Sequence, residues 1–295
     1  MPGSGLLELL GTRTVLFDGA MGTELMRRGL PQGAPPETWN LDRPGSLRDV
    51  HAAYFAAGAD IVTTNSFGAS PIKLASHGIE AGARELNIAA ARLAASVRPT
   101  GRFVAGSVGP TGRFLKPQGE GVEEDFEAAF EIQAAALAEG GADLLIIETM
   151  FDLREASCAL RAAKRAAALP VFATMTYNRT KRGFFTLMGQ SAAACAAELE
   201  ALGAAAVGAN CTLSSDGMLG LAREIRAASS LPVIIQPNAG QPRLGPSGEL
   251  TYGQSVEDFV RDALSIVAEG ANIVGGCCGT TPEHIRALAA ALPGG

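Results

Sequence analysis

The chain has 295 residues, 47% of them hydrophobic and 18% charged, enough to bury a full core in one large α/β domain or two smaller ones. A formal net charge of −6, a pI near 5.2 and no basic run longer than a pair argue against a nucleic-acid partner. The longest apolar run, near residues 144–147, is far too short to cross a bilayer, so no membrane partner is expected.

The first 14 residues, MPGSGLLELLGTRT, hold a short apolar patch with no basic residues before it and read as neither a signal nor a transit peptide. With no export signal, five cysteines in a chain this long predict reduced thiols and a cytoplasmic setting. From residue 14 onward the pattern alternates. Strand-like runs lie at 14–18, 59–64, 102–108, 143–148, 170–176, 205–210, 232–237 and 271–276. A helical segment opens after Pro44-Gly45-Ser46, with Ser46 as its N-cap. Ala-rich segments of helical spacing follow at 80–97, 123–139, 153–168, 191–202, 215–229, 255–269 and 282–291. Strands followed by helices imply parallel pairing through crossovers. Eight such units in one domain spanning residues 1–295 predict a (β/α)₈ TIM barrel, with an open doubly wound sheet as the alternative. The stretches 31–45 and 237–252 read as long, site-building connections rather than domain boundaries.

In a barrel the chemistry collects at the C-terminal ends of the strands. Asp18-Gly19-Ala20-Met21-Gly22 follows the first strand signal, Asn65 the second and Glu148 the fourth. Asn210-Cys211 follows the sixth, Asn238 the seventh and Cys277-Cys278 the eighth. The sixth and eighth strands are separated only by the seventh, so three sulfurs can converge. Zinc favours thiolates in a tetrahedron, and three protein ligands leave a fourth position open. Gly275, Gly276 and Gly279 would let the chain turn so that both adjacent thiols face one point. Thr281-Pro282 starts the next helix. A vicinal pair also fits two buried thiols or a redox switch. Cys158 and Cys195 lie in helical patterns and read as core. His51, His77 and His284 stand away from the strand ends and are not expected to bind metal. Arg179, Lys181, Arg182 and Lys116 read as solvated surface charges.

A dication on three thiolates activates water poorly and suits a fourth thiolate, so the substrate should be a thiol acting as a nucleophile toward an alkyl donor. Asp18 and Glu148 each end a buried strand and need a partner. A substrate ammonium would serve; a salt bridge would too, and for Asp18 so would a simple Asp-Gly turn. Backbone N–H groups from Gly19 to Gly22 could receive a carboxylate. Asn65, Asn210 and Asn238 are placed to orient either ligands or loops.

Seven motifs, DGAMGTEL, TNSFGA, SVGPTGR, ETMFD, GANCT, PNAGQP and GGCCGTTPEHI, occur in this order along nearly the whole chain. On them the chain resembles the homocysteine S-methyltransferase family, and within it the homocysteine-binding module of cobalamin-dependent methionine synthases. The resemblance implies a (β/α)₈ barrel with Zn²⁺ on Cys211, Cys277 and Cys278. It implies L-homocysteine as acceptor, its amino group on Asp18 and Glu148 and its carboxylate on N–H groups near Ala20 and Met21. The implied donor is methylcobalamin charged from methyltetrahydrofolate and carried by a corrinoid protein or domain. The alternatives are betaine, S-methylmethionine or another methylated donor, or the passing of methyl groups to or from a separate corrinoid protein. The stretch 177–191 carries no role over from the family.

Overall fold

The computed structural model describes residues 4–79, 82–245 and 250–293. Eight strands form one parallel sheet: β1 (Val15–Leu16), β2 (Ile61–Thr63), β3 (Phe103–Val108), β4 (Leu144–Met150), β5 (Val171–Met175), β6 (Ala206–Ser214), β7 (Val233–Asn238) and β8 (Ile273–Val274). Their spatial order is β1-β8-β7-β6-β5-β4-β3-β2. The two ends of that order meet. Phe17 bridges to Ile61, the Asp18 N–H donates to the Ile61 carbonyl, and the Asp60 N–H donates to the Leu16 carbonyl. A sheet whose edge strands bond to each other is a barrel, so the open alternative is excluded.

The continuous apolar strand runs have a simple cause: both faces are buried. Side chains alternate. Val15, Phe17, Ile61, Ile146, Phe172 and Ile273 fill the interior, with the Phe17 and Phe172 rings 6.3 Å apart. Their neighbours Leu16, Val62, Leu145, Ile147, Val171 and Val274 face the helical layer. Leu6, fully buried, joins the interior group, and Gly5 lies against the Phe103 ring at the start of β3. The apolar patch near the N-terminus is therefore a helix, Ser4–Leu10, that plugs the end of the barrel opposite the strand C-termini.

The helices follow their expected spans closely; Glu123–Glu139 and Pro282–Ala291 agree at both ends. Residues 80 and 81 of the segment expected at 80–97 lie outside the described residues, and the helix is seen as Ala83–Ser96. Ser46 is not a cap. The helix begins at Pro44, whose fixed φ suits the first helical position, and places Ser46 within the first turn. Two connections hold antiparallel hairpins with no counterpart in the periodicity. One pairs Asn178–Thr180 with Gly183–Phe185 after β5. The other pairs Pro242–Leu244 with Leu250–Tyr252 after β7, where residues 246–249 lie outside the described residues. Among the described residues, no helix is long and apolar enough to cross a membrane.

Gly208 in β6 shows how tightly the wall is built. A Cβ there would sit 1.8 Å from the Ile234 carbonyl oxygen of β7. Backbone cannot yield as a flexible side chain does, so Gly208→Ala should destabilise the fold by about 3 kcal/mol or more. A chemical denaturation midpoint equal to that of the unaltered chain would contradict this.

Candidate active site

Two strands break register where the site begins. The β4–β5 pairing shifts between Ile147 and Met150, and the β6–β7 pairing shifts between Asn210 and Ser214. At these irregularities Thr149 (φ 60°), Cys211 (φ 60°) and Thr212 (φ 63°) take left-handed backbone. Such conformations are rare without glycine, most of all for β-branched threonine, and cost on the order of 1–3 kcal/mol each. The Asn210 side chain holds them. Its Oδ1 accepts from the Thr149 N–H and Thr174 Oγ1, both at 2.8 Å. Its Nδ2 donates to Thr149 Oγ1 at 2.7 Å and to Glu148 Oε2 at 3.3 Å.

The sulfurs of Cys211, Cys277 and Cys278 all lie within 4.8 Å of one another, Cys211 and Cys278 at 3.9 Å. Metal–sulfur bonds of about 2.3 Å in a tetrahedron put sulfurs about 3.8 Å apart, so the trio fits a thiophilic dication. Nearby, Asn238 is buried with its Oδ1 unpartnered. It is bracketed by the bonds from the Cys277 N–H to the Pro237 carbonyl and from the Ala239 N–H to the Cys278 carbonyl. Of the three thiols, Cys278 is the one shifted below the usual thiol range. The thiols of Cys211 and then Cys277 bond to it and hold it low, and the Tyr252 hydroxyl helps. Cys277 is pushed up, by its bonds to Cys211 and Cys278 and by burial.

Both adjacent thiols reach one point because β8 ends at Val274. At Gly275 and Gly276 the requirement is closeness: a Cβ would lie 2.7 Å from Phe17 Cβ and 2.3 Å from Thr280 Oγ1. At Gly279 it is conformational, with φ at 83°. Thr281 caps the following helix by accepting from the Glu283 N–H. Thr280 stitches this turn to the one after β1. Its hydroxyl donates to the Cys277 carbonyl at 2.7 Å and accepts from the Ala20 N–H at 3.1 Å. The Ala20 N–H, one of the groups expected to receive a substrate carboxylate, thus has Thr280 Oγ1 as its partner. Gly19 leaves room for this seam, since a Cβ would meet Thr280 Oγ1 at 2.7 Å and the Tyr54 ring at 3.0 Å. Helix Met21–Arg27 has no side-chain cap at Ala20, which leaves first-turn N–H groups such as that of Met21 open.

Asp18 is 1% exposed. It accepts from the Thr63 N–H at 2.7 Å and Thr63 Oγ1 at 2.8 Å. Burial nevertheless raises its pKa to about 8, and the neighbouring Glu148 adds to the rise. Glu148 opens to the mouth yet sits deep enough for burial to raise its pKa too, with Ser107 Oγ donating to it at 2.6 Å. No cationic side chain contributes to either shift.

Asn65 does not join this group. Its amide donates to the Pro36 carbonyl and Asn40 Oδ1, fastening a loop. Cys158 and Cys195 are fully buried, with thiols pushed up by burial to about 12 and 11. Cys158 also lies near Glu123 and Glu127, whose carboxylates pair with Arg154, Arg161 and Arg165. His51 is buried with both ring nitrogens unpartnered, His284 packs edge-on against Phe259, and His77 is exposed. The supporting residues Thr63, Ser107, Thr149, Thr174, Tyr252 and Thr280 were missed by the sequence reading. For most of them the signal was a hydroxyl interrupting an apolar strand run, as in IVTT and AGSV.

Comparison with known proteins agrees with this geometry. Residues 15–292 match the family model described as homocysteine S-methyltransferase. The chain is 35% identical to a methionine synthase of Mycobacterium leprae (strain TN) and 34% identical to one of Mycobacterium tuberculosis (strain ATCC 25618 / H37Rv), in each case over 97% of this chain. It spans only 25% of the length of either relative. The metallated form of the homocysteine methyltransferase MmuM from Escherichia coli superposes with a TM-score of 0.82 at 26% identity, covering 99% of this chain and 100% of that one. The carboxyl transferase domain of Rhizobium etli pyruvate carboxylase, 12% identical with a TM-score of 0.55, shares the fold alone. The chain belongs to the homocysteine S-methyltransferase family.

Proposed function

We propose that this chain is one homocysteine-binding barrel that moves a methyl group to the thiol of L-homocysteine, giving methionine, with zinc held by Cys211, Cys277 and Cys278. The observation that carries this reading is the convergence of three sulfurs beside buried Asp18 and half-buried Glu148, neither paired with a cation among the described residues. Zinc bound there would supply the charge that favours a deprotonated, still nucleophilic substrate sulfur near neutral pH.

The chain's own groups do the rest. Asp18 and Glu148 receive the substrate ammonium, which lowers both their pKa values as it arrives. Asn210 fixes Glu148 and the backbone that aims Cys211. The Met21 N–H is placed for the carboxylate. With ammonium and sulfur both anchored, the thiolate faces the open mouth and attacks the methyl carbon in line. The carbon–sulfur bond forms as the bond to the donor breaks, and rate comes from holding the two in line. The donor we favour is methylcobalamin, charged from methyltetrahydrofolate and presented by a corrinoid protein or domain, in keeping with the much longer methionine synthase relatives. The whole-length match to a homocysteine methyltransferase favours a second reading, in which a small methylated compound such as betaine or S-methylmethionine is the donor. A reduced, cytoplasmic setting suits the thiols under either reading.

The deciding assay offers homocysteine with methylcobalamin, betaine or S-methylmethionine while zinc is quantified in parallel. Cys277→Ala or Cys278→Ala should lose bound zinc and drop methyl transfer to background while the barrel's circular dichroism persists. Full activity in a zinc-free variant would refute the scheme. Asp18→Asn should weaken homocysteine at least tenfold, about 1.4 kcal/mol. It should also change stability. Because the folded pKa of Asp18 is raised from 3.8 to about 8, its contribution is fully present below pH 3.8 and is lost as pH rises to about 8. The asparagine variant should lack that decline, and parallel pH–stability curves for the two proteins would rule it out.

A further inference from the structure

The helix after β4, Leu153–Ala166, opens on Asp152-Leu153-Arg154-Glu155, an order that fits a capping box, in which the glutamate returns to the backbone of the capping residue. Asp152 does cap, accepting from the Arg154 N–H at 2.9 Å. Glu155 is used differently. Its Oε1 accepts from the Thr111 N–H and from the Thr111 hydroxyl, both at 2.7 Å, in the loop after β3. Both residues are buried, and Glu155 Oε2 has no partner. Burying a carboxyl with one oxygen unserved is costly, so this acid is committed to a single contact with the neighbouring loop. The Thr111 hydroxyl in turn accepts from the Arg113 N–H at 3.2 Å. Two more ties join the same segments. Arg154 Nη1 donates to the Lys116 carbonyl at 2.6 Å, and the Phe114 and Phe151 rings lie 5.6 Å apart.

We infer that Glu155 is a positioning residue for methyl transfer: through Thr111 it holds the loop after β3 against the segment after β4, and so fixes the Phe114–Phe151 pair at the rim of the mouth, where a methyl donor must approach. The inference rests on the methyl-transfer reading above and concerns the donor side of that site. The homocysteine side is held by other groups. Ser107, which donates to Glu148, is itself tied down by its N–H on Thr64 Oγ1 and by its carbonyl, which accepts from Ser66 Oγ and Gln133 Nε2. Loosening Thr111 therefore frees the rim and leaves Glu148 in place. A rim that wanders disturbs the approach of the donor and not the grip on homocysteine.

The test compares the full chain with Glu155→Ala, Thr111→Val and Thr111→Ser. The valine keeps the shape of threonine and removes the hydroxyl; the serine keeps the hydroxyl and removes a methyl. Amide hydrogen exchange is followed across residues 109–116. KM is measured separately for homocysteine and for whichever of methylcobalamin, betaine or S-methylmethionine the unaltered chain uses. Glu155→Ala and Thr111→Val should speed exchange in this loop about tenfold. They should raise the donor KM about fivefold or more and leave the homocysteine KM within about twofold. Thr111→Ser should match the unaltered chain in both readouts. Unchanged exchange in Thr111→Val, or an unmoved donor KM in a variant whose loop has loosened, would overturn the inference. So would an equal rise in both KM values, which would assign the contact to general packing. If Glu155→Ala does not fold, the valine and serine variants decide the matter between them. Transfer from none of the three donors by the unaltered chain would sink the methyl-transfer reading and this inference with it, a result distinct from a failure confined to the variants.

Discussion

The Asn210 side chain uses its whole hydrogen-bonding capacity at the ends of β4 and β6: two bonds accepted by the oxygen, two donated by the nitrogen. That one amide joins strands on either side of β5 at the level where both leave the regular ladder. Without such bonds Thr149 would relax out of its left-handed backbone, and Glu148 would swing with it. Cys211 follows Asn210 directly and is left-handed as well, so its sulfur's direction depends on where Asn210 is held. The Glu148 carboxylate and the Cys211 sulfur are therefore set by a single cross-strand contact. An alanine there would leave the Thr149 N–H without its partner and strip one bond each from Thr149 Oγ1, Thr174 Oγ1 and Glu148, a larger loss than any one hydrogen bond.

Around this anchor the site gathers groups that become anionic and supplies no cation for them. Asp18 and Glu148 have raised pKa values, and Cys277 is pushed well above the usual thiol range. Burial disfavours the charged form of each of these groups. Burial raises the Cys158 and Cys195 thiols as well, and at Cys158 the Arg161 guanidinium lies 3.4 Å from the sulfur.

How much of this could be read from residues alone varied with range. Helices such as Glu123–Glu139 carry their own signal in alanine, spacing and an acidic first turn. The strands carry theirs in two-sided burial. The two hairpins did not show, because NRT and PRL are short, exposed and polar and have no period to detect. The cysteine trio was legible because sulfur chemistry is specific and the strand order of a barrel fixes which loops are neighbours. The left-handed residues were not, since Thr149 and Cys211 adopt that backbone only because Asn210, from another strand or the preceding residue, holds it there. Ala20 teaches the same lesson: its N–H looked free until Thr280, 260 residues away, took it.

The place where the barrel closes is also the place where its chemistry assembles. β1 and β8 are two residues each, too few to hold a seam by ladder bonds alone. Side chains reinforce the junction. On the other flank of β1, buried Asp60, just before β2, accepts from the Leu16 N–H and from Arg13 and Arg102. At the C-terminal end Thr280 bonds both the cysteine turn and Ala20, and Tyr54 donates to the Ala20 carbonyl. Asp18 sits on one side of that seam and Cys277-Cys278 on the other, so any slip between β1 and β8 would part the Asp18 carboxylate from the thiols. A barrel in which the last strand had not docked would hold Cys211 and Glu148 in place and still lack two of three sulfurs. Completion of the fold and completion of the site are thus one event, which is why so much buried polar bonding is concentrated at the junction of the shortest strands.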